Sequence, residues 1–462
     1  MAEQFDVVVV GGGPGGYAAA LYGAAAGLSV AVVERDRVGG TCLHRGCIPA
    51  KQFLETATVY RTVAGAKEFG VQAAQPTIDF AASQARKQKV VDGSWKGLAG
   101  LMKSRKITVV NGTGTVRTRN TVRVDDGTEL KGRSVIVATG SVPRPLPGFT
   151  VDGTVVMTSD EVLALDKLPA SAVVIGGGAI GCEFASMMSD LGTQVTILEA
   201  LPKLLPGCDT DVVDLVLRSF KRRGITVRTG VTVEGHEPAN GQTTVRFGDG
   251  ESVVVDAVVV SVGRRPLSEE AGLREAGVAV DERGFVIVDE RMRTNVEGVY
   301  AVGDVVPTPQ LAHVGFAEAI VAIKDILGEE PVPVDYGKVP WCIYTFPEVA
   351  FAGLSEQAAR DAGHDVVVSK HRFNPNSRAK IIGEAEGLVK VIAAKDGSGG
   401  AGPLLGVHMV GPWVTEQLAA GYLAVNWEAT PEEVGHFIQP HPTLSETFGE
   451  TVMSLTGRGL HG

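Results

Sequence analysis

Two cysteines five positions apart hold the most chemistry in this chain. Cys42 and Cys47 lie in GGTCLHRGCIPAK, residues 39–51, with Gly46 between them. Such a pair can close a small ring at a helix N-terminus, where the helix dipole favours a thiolate, and Lys51 adds positive charge one turn on. That setting suits redox exchange. Two other readings stay open at this level: metal ligands helped by His44, or two inert apolar thiols. A structural zinc site needs four ligands at suitable spacing, and Cys182, Cys208 and Cys342 form no second cluster. No metal is therefore expected. The tail FIQPHPTLSETFGE holds a second pair. His441 sits between Pro440 and Pro442, which restrict its backbone, and Glu446 follows five residues later. A neutral imidazole can take a proton from a dithiol, and a carboxylate can orient it and support its charged form. Taken alone, a surface histidine beside an unrelated glutamate is the simpler reading.

The elements that must position these groups repeat. Residues 6–34 read DVVVVGGGPGGYAAALYGAAAGLSVAVVE and residues 171–199 read SAVVIGGGAIGCEFASMMSDLGTQVTILE. At a constant offset of 165, Gly11, Gly13, Gly16, Gly27 and Glu34 fall on Gly176, Gly178, Gly181, Gly192 and Glu199. Each unit runs from an apolar strand through a Gly turn and a small-residue helix to a second strand ending in Glu. The first Gly allows a tight turn, the second lets the backbone approach a pyrophosphate, and the third lets the helix pack on the strand. The helix N-terminus then faces the phosphate. The terminal acid suits a ribose diol and repels a 2′-phosphate, so Glu199 favours NAD over NADP. With 59 Gly in the chain the motif alone is weak, and a third match at Gly397, Gly399 and Gly402 reads as a flexible loop because no helix follows.

Two such units predict two dinucleotide sites. RSVIVATGSVPRPLPG, residues 133–148, brings Thr139 and Gly140 to a turn and reads as the exit from the first domain. AVVVSVGRRP, residues 257–266, repeats the theme as the return. GVYAVGD, residues 298–304, puts Asp304 at a strand end, with a helix from about Ala312. The expected division is a discontinuous domain, 1–148 and 269–339, with a second at 149–268 inserted into it, and a third at 340–462. The expected class is α/β: two Rossmann-like dinucleotide-binding domains plus an α+β C-terminal domain. The 462 residues allow about three domains, and a net charge of −10 without long runs of either sign argues against a nucleic-acid partner. Val7 to Val33 has no charge, yet its seven Gly and one Pro suit a buried strand, turn and helix better than a leader or a membrane span. A cytoplasmic location is expected.

The segment GGTCLHRGCIPAK, the twin Gly turns, ATG, GRRP, YAVGD and HPTLSE stand in the order found in the pyridine nucleotide–disulfide oxidoreductases, and the resemblance spans nearly the whole chain. It implies that Cys42 is the interchange thiol and that Cys47 lies against a flavin as a charge-transfer thiolate. Lys51 then pairs with Glu183 near the reactive flavin nitrogen. It implies FAD held by Gly11, Gly13, Gly16, Glu34, Thr41, Lys51, Thr139, Gly140, Asp304 and Ala312. NAD falls to Gly176, Gly178, Gly181, Glu199 and Gly263. It further implies a homodimer in which His441 and Glu446 serve the partner's cysteines. FPEVAFAGLSE, residues 346–356, resembles the start of the interface domain. The implied reaction is oxidation of a protein-bound dihydrolipoyl group with reduction of NAD. The implied partner is the lipoyl domain of a 2-oxoacid dehydrogenase complex or of the glycine cleavage system.

Some positions depart from the family pattern. Gln439 and Pro440 stand where His and Ala are common, His44 and Arg45 replace Asn and Val, Ala50 replaces Ser, and Gly315, Phe316 and Ala317 differ near the flavin. None removes a required chemical group. Members with an extra C-terminal redox pair are not the expected match, because 120 residues without cysteine follow Cys342. The competing class is a flavoprotein scaffold or NAD-sensing protein without turnover, against which the intact Cys pair, His441 and Glu446 argue.

Overall fold

The computed structural model describes residues 3–239 and 241–461. Its organising element is the run Val7–Val10, four branched residues with both faces buried, as a central parallel strand requires. The strand Glu3–Val10 pairs in parallel with Val30–Glu34 on one side and Glu129–Val137 on the other. Thr108–Asn111 and Val299–Ala301 extend this parallel core, and Thr121–Val124 and Gly114–Thr118 add an antiparallel edge. Between the two central strands runs the helix Pro14–Ala25. It starts with Pro at its first turn and is built from small residues, so it can bury against both the sheet and the helix Ala312–Ile326. The uncharged stretch from Val7 to Val33 is therefore a strand, a turn, a helix and a strand.

The second unit repeats the plan. Ser171–Ile175 lies between Gln194–Glu199 and Ala257–Val260, all parallel, with Thr226–Thr229 and Val156–Met157 outside. An antiparallel sheet of Val233–Ala239, Gln242–Phe247 and Glu251–Val255 packs beside it. The segments read as exit and return pair with each other: Ser141–Pro143 runs antiparallel to Arg264–Pro266. This ribbon spans the junction between the two units.

From residue 341 onward the sheet is wholly antiparallel, in the order Trp341–Ile343, Glu348–Gly353, Ala401–Gly411, Leu388–Lys395, Val366–Arg372. The helices Val414–Asn426 and Glu446–Ser454 share its core. Residues 396–400, read from sequence as part of a flexible loop, are the turn of the hairpin joining Leu388–Lys395 to Ala401–Gly411. Asp396 Oδ1 pins that turn by accepting from the Ser398 and Gly400 N–H groups at 2.8 Å each. Gly402 lies inside the strand itself. Among the described residues no helix is long and apolar enough to cross a membrane.

Candidate active site

Cys47 is the first residue of the helix Cys47–Gly65, and Cys42 lies in the short helix Gly40–Arg45 just before it. Both are free thiols. The twin glycines ahead of Cys42 have a structural task. Gly39 and Gly40 have φ of +113° and +56°, and a Cβ on Gly40 would lie 2.5 Å from the Gly13 Cα. Gly39 N–H donates to the Gly12 carbonyl at 2.7 Å. The redox segment thus lies directly on the first Gly turn.

The two thiols are inequivalent. A hydrogen bond from the Cys42 thiol, with Lys51 and the helix N-terminus, brings Cys47 down to about 7 despite its burial. The same hydrogen bond, and burial, push Cys42 up. The shifts run in opposite directions, so Cys47 is the thiol of the pair that ionises first. Lys51 stands one turn into the helix from Cys47. Its Nζ contacts both Glu183 oxygens, at 2.8 and 2.7 Å, and sits 4.8 Å from the centre of the Tyr344 ring. Burial opposes the lysine charge, but Glu183 and Cys47 more than offset it and hold Lys51 above the usual range. Glu183 is buried in the helix Ala179–Asp190 of the second unit and also accepts from the Tyr344 N–H at 2.9 Å. One ion pair thus joins the redox helix, the second unit and the C-terminal sheet.

The two Gly turns can be tested as cofactor cradles. Gly11 and Gly176 have φ of +102° and +109°, and a Cβ there would meet a carbonyl oxygen at 2.3 and 2.4 Å. On Gly16 and Gly181 it would lie 1.9 and 2.0 Å from the first glycine's carbonyl oxygen. These four glycines are demanded by the fold. Gly13 and Gly178 are not: the nearest atom is 3.9 Å away at Gly13, and nothing lies within 4 Å at Gly178. Both are helix N-caps without a side-chain cap. Each turn thus leaves an open space facing unpaired N–H groups, which suits a pyrophosphate. At the strand ends, Glu34 accepts from the Gly12 and Asp36 N–H groups at 2.6 and 2.9 Å. Glu199 accepts from Gly177 and Leu201 at 2.5 and 2.7 Å. Each acid fixes its own turn. The residues fit two dinucleotides.

Of the other expected site residues, Thr139, Gly140 and Asp304, expected to hold FAD, and Gly263, expected to hold NAD, lie at or beside the connecting ribbon. Thr139 Oγ1 donates to the Leu267 carbonyl at 2.6 Å, and the Gly140 carbonyl accepts from Leu267 N–H at 2.9 Å. Asp304 accepts from the Ser141 hydroxyl at 2.5 Å, and Arg264 donates to the same hydroxyl at 2.7 Å. Gly263, at φ +100°, starts the return. Ala312 opens its helix with no side-chain cap. Thr41 is the second residue of the short Cys42 helix, and its carbonyl lies 3.0 Å from where a Gly46 Cβ would be.

His441 Nδ1 contacts Glu446 Oε1 at 2.8 Å, and the second Glu446 oxygen accepts from Thr443 N–H at 2.7 Å. The carboxylate orients both the ring and the turn, and leaves Nε2 free to work. The side chain of His441 is 73% exposed, and none of its hydrogen bonds reaches Cys42 or Cys47 of the same chain. The structure also places residues at the site that the sequence did not single out. Tyr17 is pushed up to about 12 by burial and by the charge of Cys42 and Cys47, and packs on Phe316 with ring centres 5.6 Å apart. Glu318 is fully buried and accepts from Gly303 N–H, the Thr308 hydroxyl and the Tyr336 hydroxyl at 2.6, 2.7 and 3.0 Å. An acid inside an apolar helix was its one sequence signal. Tyr344 had none.

Residues 5–319 match the pyridine nucleotide-disulphide oxidoreductase family, and residues 339–452 match that family's dimerisation domain. Over all of both chains, the protein is 41% identical to a dihydrolipoyl dehydrogenase of Bacillus subtilis. It is 36% identical to a mitochondrial one of Pisum sativum, over 100% of this chain and 93% of the relative. Among solved structures it is similar to LpdA of Mycobacterium tuberculosis, with a TM-score of 0.91 and 26% identity over 98% of this chain and 100% of the other. It is also similar to the HOCl-induced flavoprotein disulfide reductase RclA of Escherichia coli, at 0.86 and 27% over 97% and 99%.

Proposed function

This chain belongs to the pyridine nucleotide-disulphide oxidoreductases, and from that premise we propose that it is a dihydrolipoyl dehydrogenase, oxidising a protein-bound dihydrolipoyl group and reducing NAD. The observation that carries the reading is the placement of the thiol pair: Cys47 at a helix N-terminus one turn before Lys51, with Cys42 just ahead of it, in a segment laid against a dinucleotide cradle. When bound, FAD takes up the electron pair and passes it to NAD as hydride. The rest falls to the chain's own side chains. His441, oriented by Glu446, removes a proton from the dithiol. The resulting thiolate attacks Cys42 of the oxidised pair, and Cys47 leaves as the thiolate its surroundings favour. The second substrate thiol resolves the mixed disulfide, releases the cyclic disulfide and leaves Cys42 protonated. Lys51 and Glu183 hold charge balance beside Cys47.

His441 lies in the part of the chain that matches the dimerisation domain, and within one chain it makes no hydrogen bond to the cysteines. The base therefore comes from a second copy in a homodimer. A lipoyl domain of a 2-oxoacid dehydrogenase complex or of the glycine cleavage system supplies the dithiol, in the cytoplasm. The proposed division is a flavin domain over 1–148 and 269–339, an NAD domain over 149–268 and an interface domain over 340–462. Glu199 favours NAD. Cys42→Ser and Cys47→Ser are expected to retain FAD and lose dihydrolipoamide-dependent NAD reduction. Full activity in either variant, or wild-type preference for NADPH with glutathione disulfide, would overturn the proposal.

A further inference from the structure

The loop after Glu199, residues 200–209, ties the second Gly turn to the C-terminal sheet. At its near end it supports that turn. Leu205 N–H donates to the Gly177 carbonyl at 2.9 Å, and Leu204 lies so close that a Cβ on Gly177 would meet its Cδ2 at 2.3 Å. At its far end Gly207 faces Phe351, whose ring stacks between Trp341 and His408 at 5.8 and 5.2 Å. Asp209 N–H donates to His408 Nδ1 at 3.2 Å. The Asp209 carboxylate accepts from Lys390 Nζ at 2.9 Å and from Glu356 N–H at 3.1 Å. Lys390 also contacts Asp211 at 2.7 Å and Glu356 at 2.8 Å. Trp341, Phe351, Lys390 and His408 all stand on strands of the C-terminal sheet.

The charges in this cluster balance. Three carboxylates, Asp209, Asp211 and Glu356, meet Lys390, with Lys370 on Asp211 and Arg360 on Glu356. Lys390 and Asp209 have only 4% and 3% of their side chains exposed. A buried ionic network adds little stability over well-packed apolar residues, but it admits few geometries. An apolar contact would hold the two parts together as well; it would not fix the loop's register. The placement therefore points to position rather than stability as its task.

We propose that Lys390 is a positioning residue for the nicotinamide half of the reaction: by pinning Asp209 to the C-terminal sheet it holds the 200–209 loop, and through it the Gly176–Gly181 turn, in the form that binds a dinucleotide. This rests on the function proposed above. Lys390 touches no part of the dithiol machinery, so its loss acts on one half-reaction only.

The test uses the FAD-loaded protein and Lys390→Met. Calorimetric titration with NADH of the protein reduced beforehand with dithionite, so that no oxidised flavin is left to take its hydride, reads the cradle directly, and stopped-flow reduction of the flavin by dihydrolipoamide, without NAD, reads the other half. NADH binding is expected to weaken about tenfold or more, with dithiol-driven reduction within about twofold of wild type. Unchanged NADH affinity overturns the proposal, as does a parallel fall in both readouts. Should Lys390→Met not fold, Asp209→Asn carries the test, because it removes the carboxylate that Lys390 pins and keeps an acceptor for the Asp211 and Glu356 N–H groups. A folded Asp209→Asn with wild-type NADH affinity overturns it equally, and about threefold weaker binding supports it. The NADH titration needs no dithiol. A wild type that binds NADH without oxidising dihydrolipoamide would refute the proposed function and leave this test standing.

Discussion

Replacing Cys42 isolates the cause of the low Cys47 pKa. The hydrogen bond from Cys42 stands first among the effects that bring Cys47 to about 7 from an ordinary 9.0, ahead of the charge on Lys51. Cys42→Ala deletes the donor and keeps Lys51; Cys42→Ser keeps a hydroxyl that can still donate. At pH 7.5 a thiol with a pKa of about 7 is about three-quarters ionised, and one at about 9 is about 3% ionised. With Lys51 in place, Cys47 of the alanine variant should titrate above the wild-type midpoint of about 7 yet below an ordinary thiol, and the serine variant should stay close to wild type. The assay is a pH titration of thiolate ultraviolet absorbance in both variants, with alkylation and peptide mass identifying the titrating residue. Interference is small. Burial pushes Cys182 and Cys208 up, and Cys342 to about 11, so Cys47 titrates alone below about pH 9. Equal midpoints in the two variants, or a midpoint at or below 7 in Cys42→Ala, would refute the hydrogen-bond explanation and leave Lys51 and the helix N-terminus as the cause.

Three further outcomes follow from the geometry. Gly178→Ala has open space and an ordinary φ, so it should fold normally yet weaken NADH binding, whereas Gly181→Ala, 2.0 Å from a carbonyl, should lower the melting temperature sharply; thermal melts paired with NADH titration distinguish them. Glu446→Gln should slow dithiol-driven flavin reduction by about a hundredfold, with stability within about 1 kcal/mol because His441 is largely exposed; a normal rate would show that the pair is not the base. Burial raises Glu318 to about 7 from 4.5, so the folded state keeps its proton longer than the unfolded chain and stability falls as pH rises through that window. The unfolding free energy of wild type minus that of Glu318→Gln should therefore drop by up to about 3 kcal/mol between pH 4.5 and 7.5, and a difference flat in pH would contradict the assigned burial.

How far the sequence could be read depended on the range of each interaction. The first glycine of each turn is set by its own φ near +100°, and the third by the first one's carbonyl, five positions back and about 2 Å from an added Cβ, so their spacing alone announces strand, turn and helix. Cys42 and Cys47 are likewise local, and the helix N-terminus that activates Cys47 begins at that residue. The unequal acidity of the two thiols is not local. It needs the direction of one hydrogen bond and the approach of Lys51 to Glu183, 132 positions away; only the family resemblance linked those two. Tyr344 on Glu183 and Lys390 on Asp209 join segments 161 and 181 positions apart, and nothing in their neighbours' types marks them.

The repeat itself shows why a motif does not settle a role. The two turns use the same bonds: an acid closing on the second residue of GGG, a first glycine at φ +102° or +109°, and a third packed on its carbonyl. What differs is the segment laid against each. The first turn receives Gly39 and Gly40, so the thiol pair is carried onto its cradle. The second receives Leu204 and Leu205, whose loop is anchored by Asp209 to the C-terminal sheet. A duplicated cradle can therefore serve two half-reactions without changing its own geometry, because thiol chemistry is delivered to one copy and a fixed loop to the other. Exchanging the acids, Glu34 or Glu199, for other carboxylates would alter ribose contacts in both, but it could not move the redox step from one turn to the other.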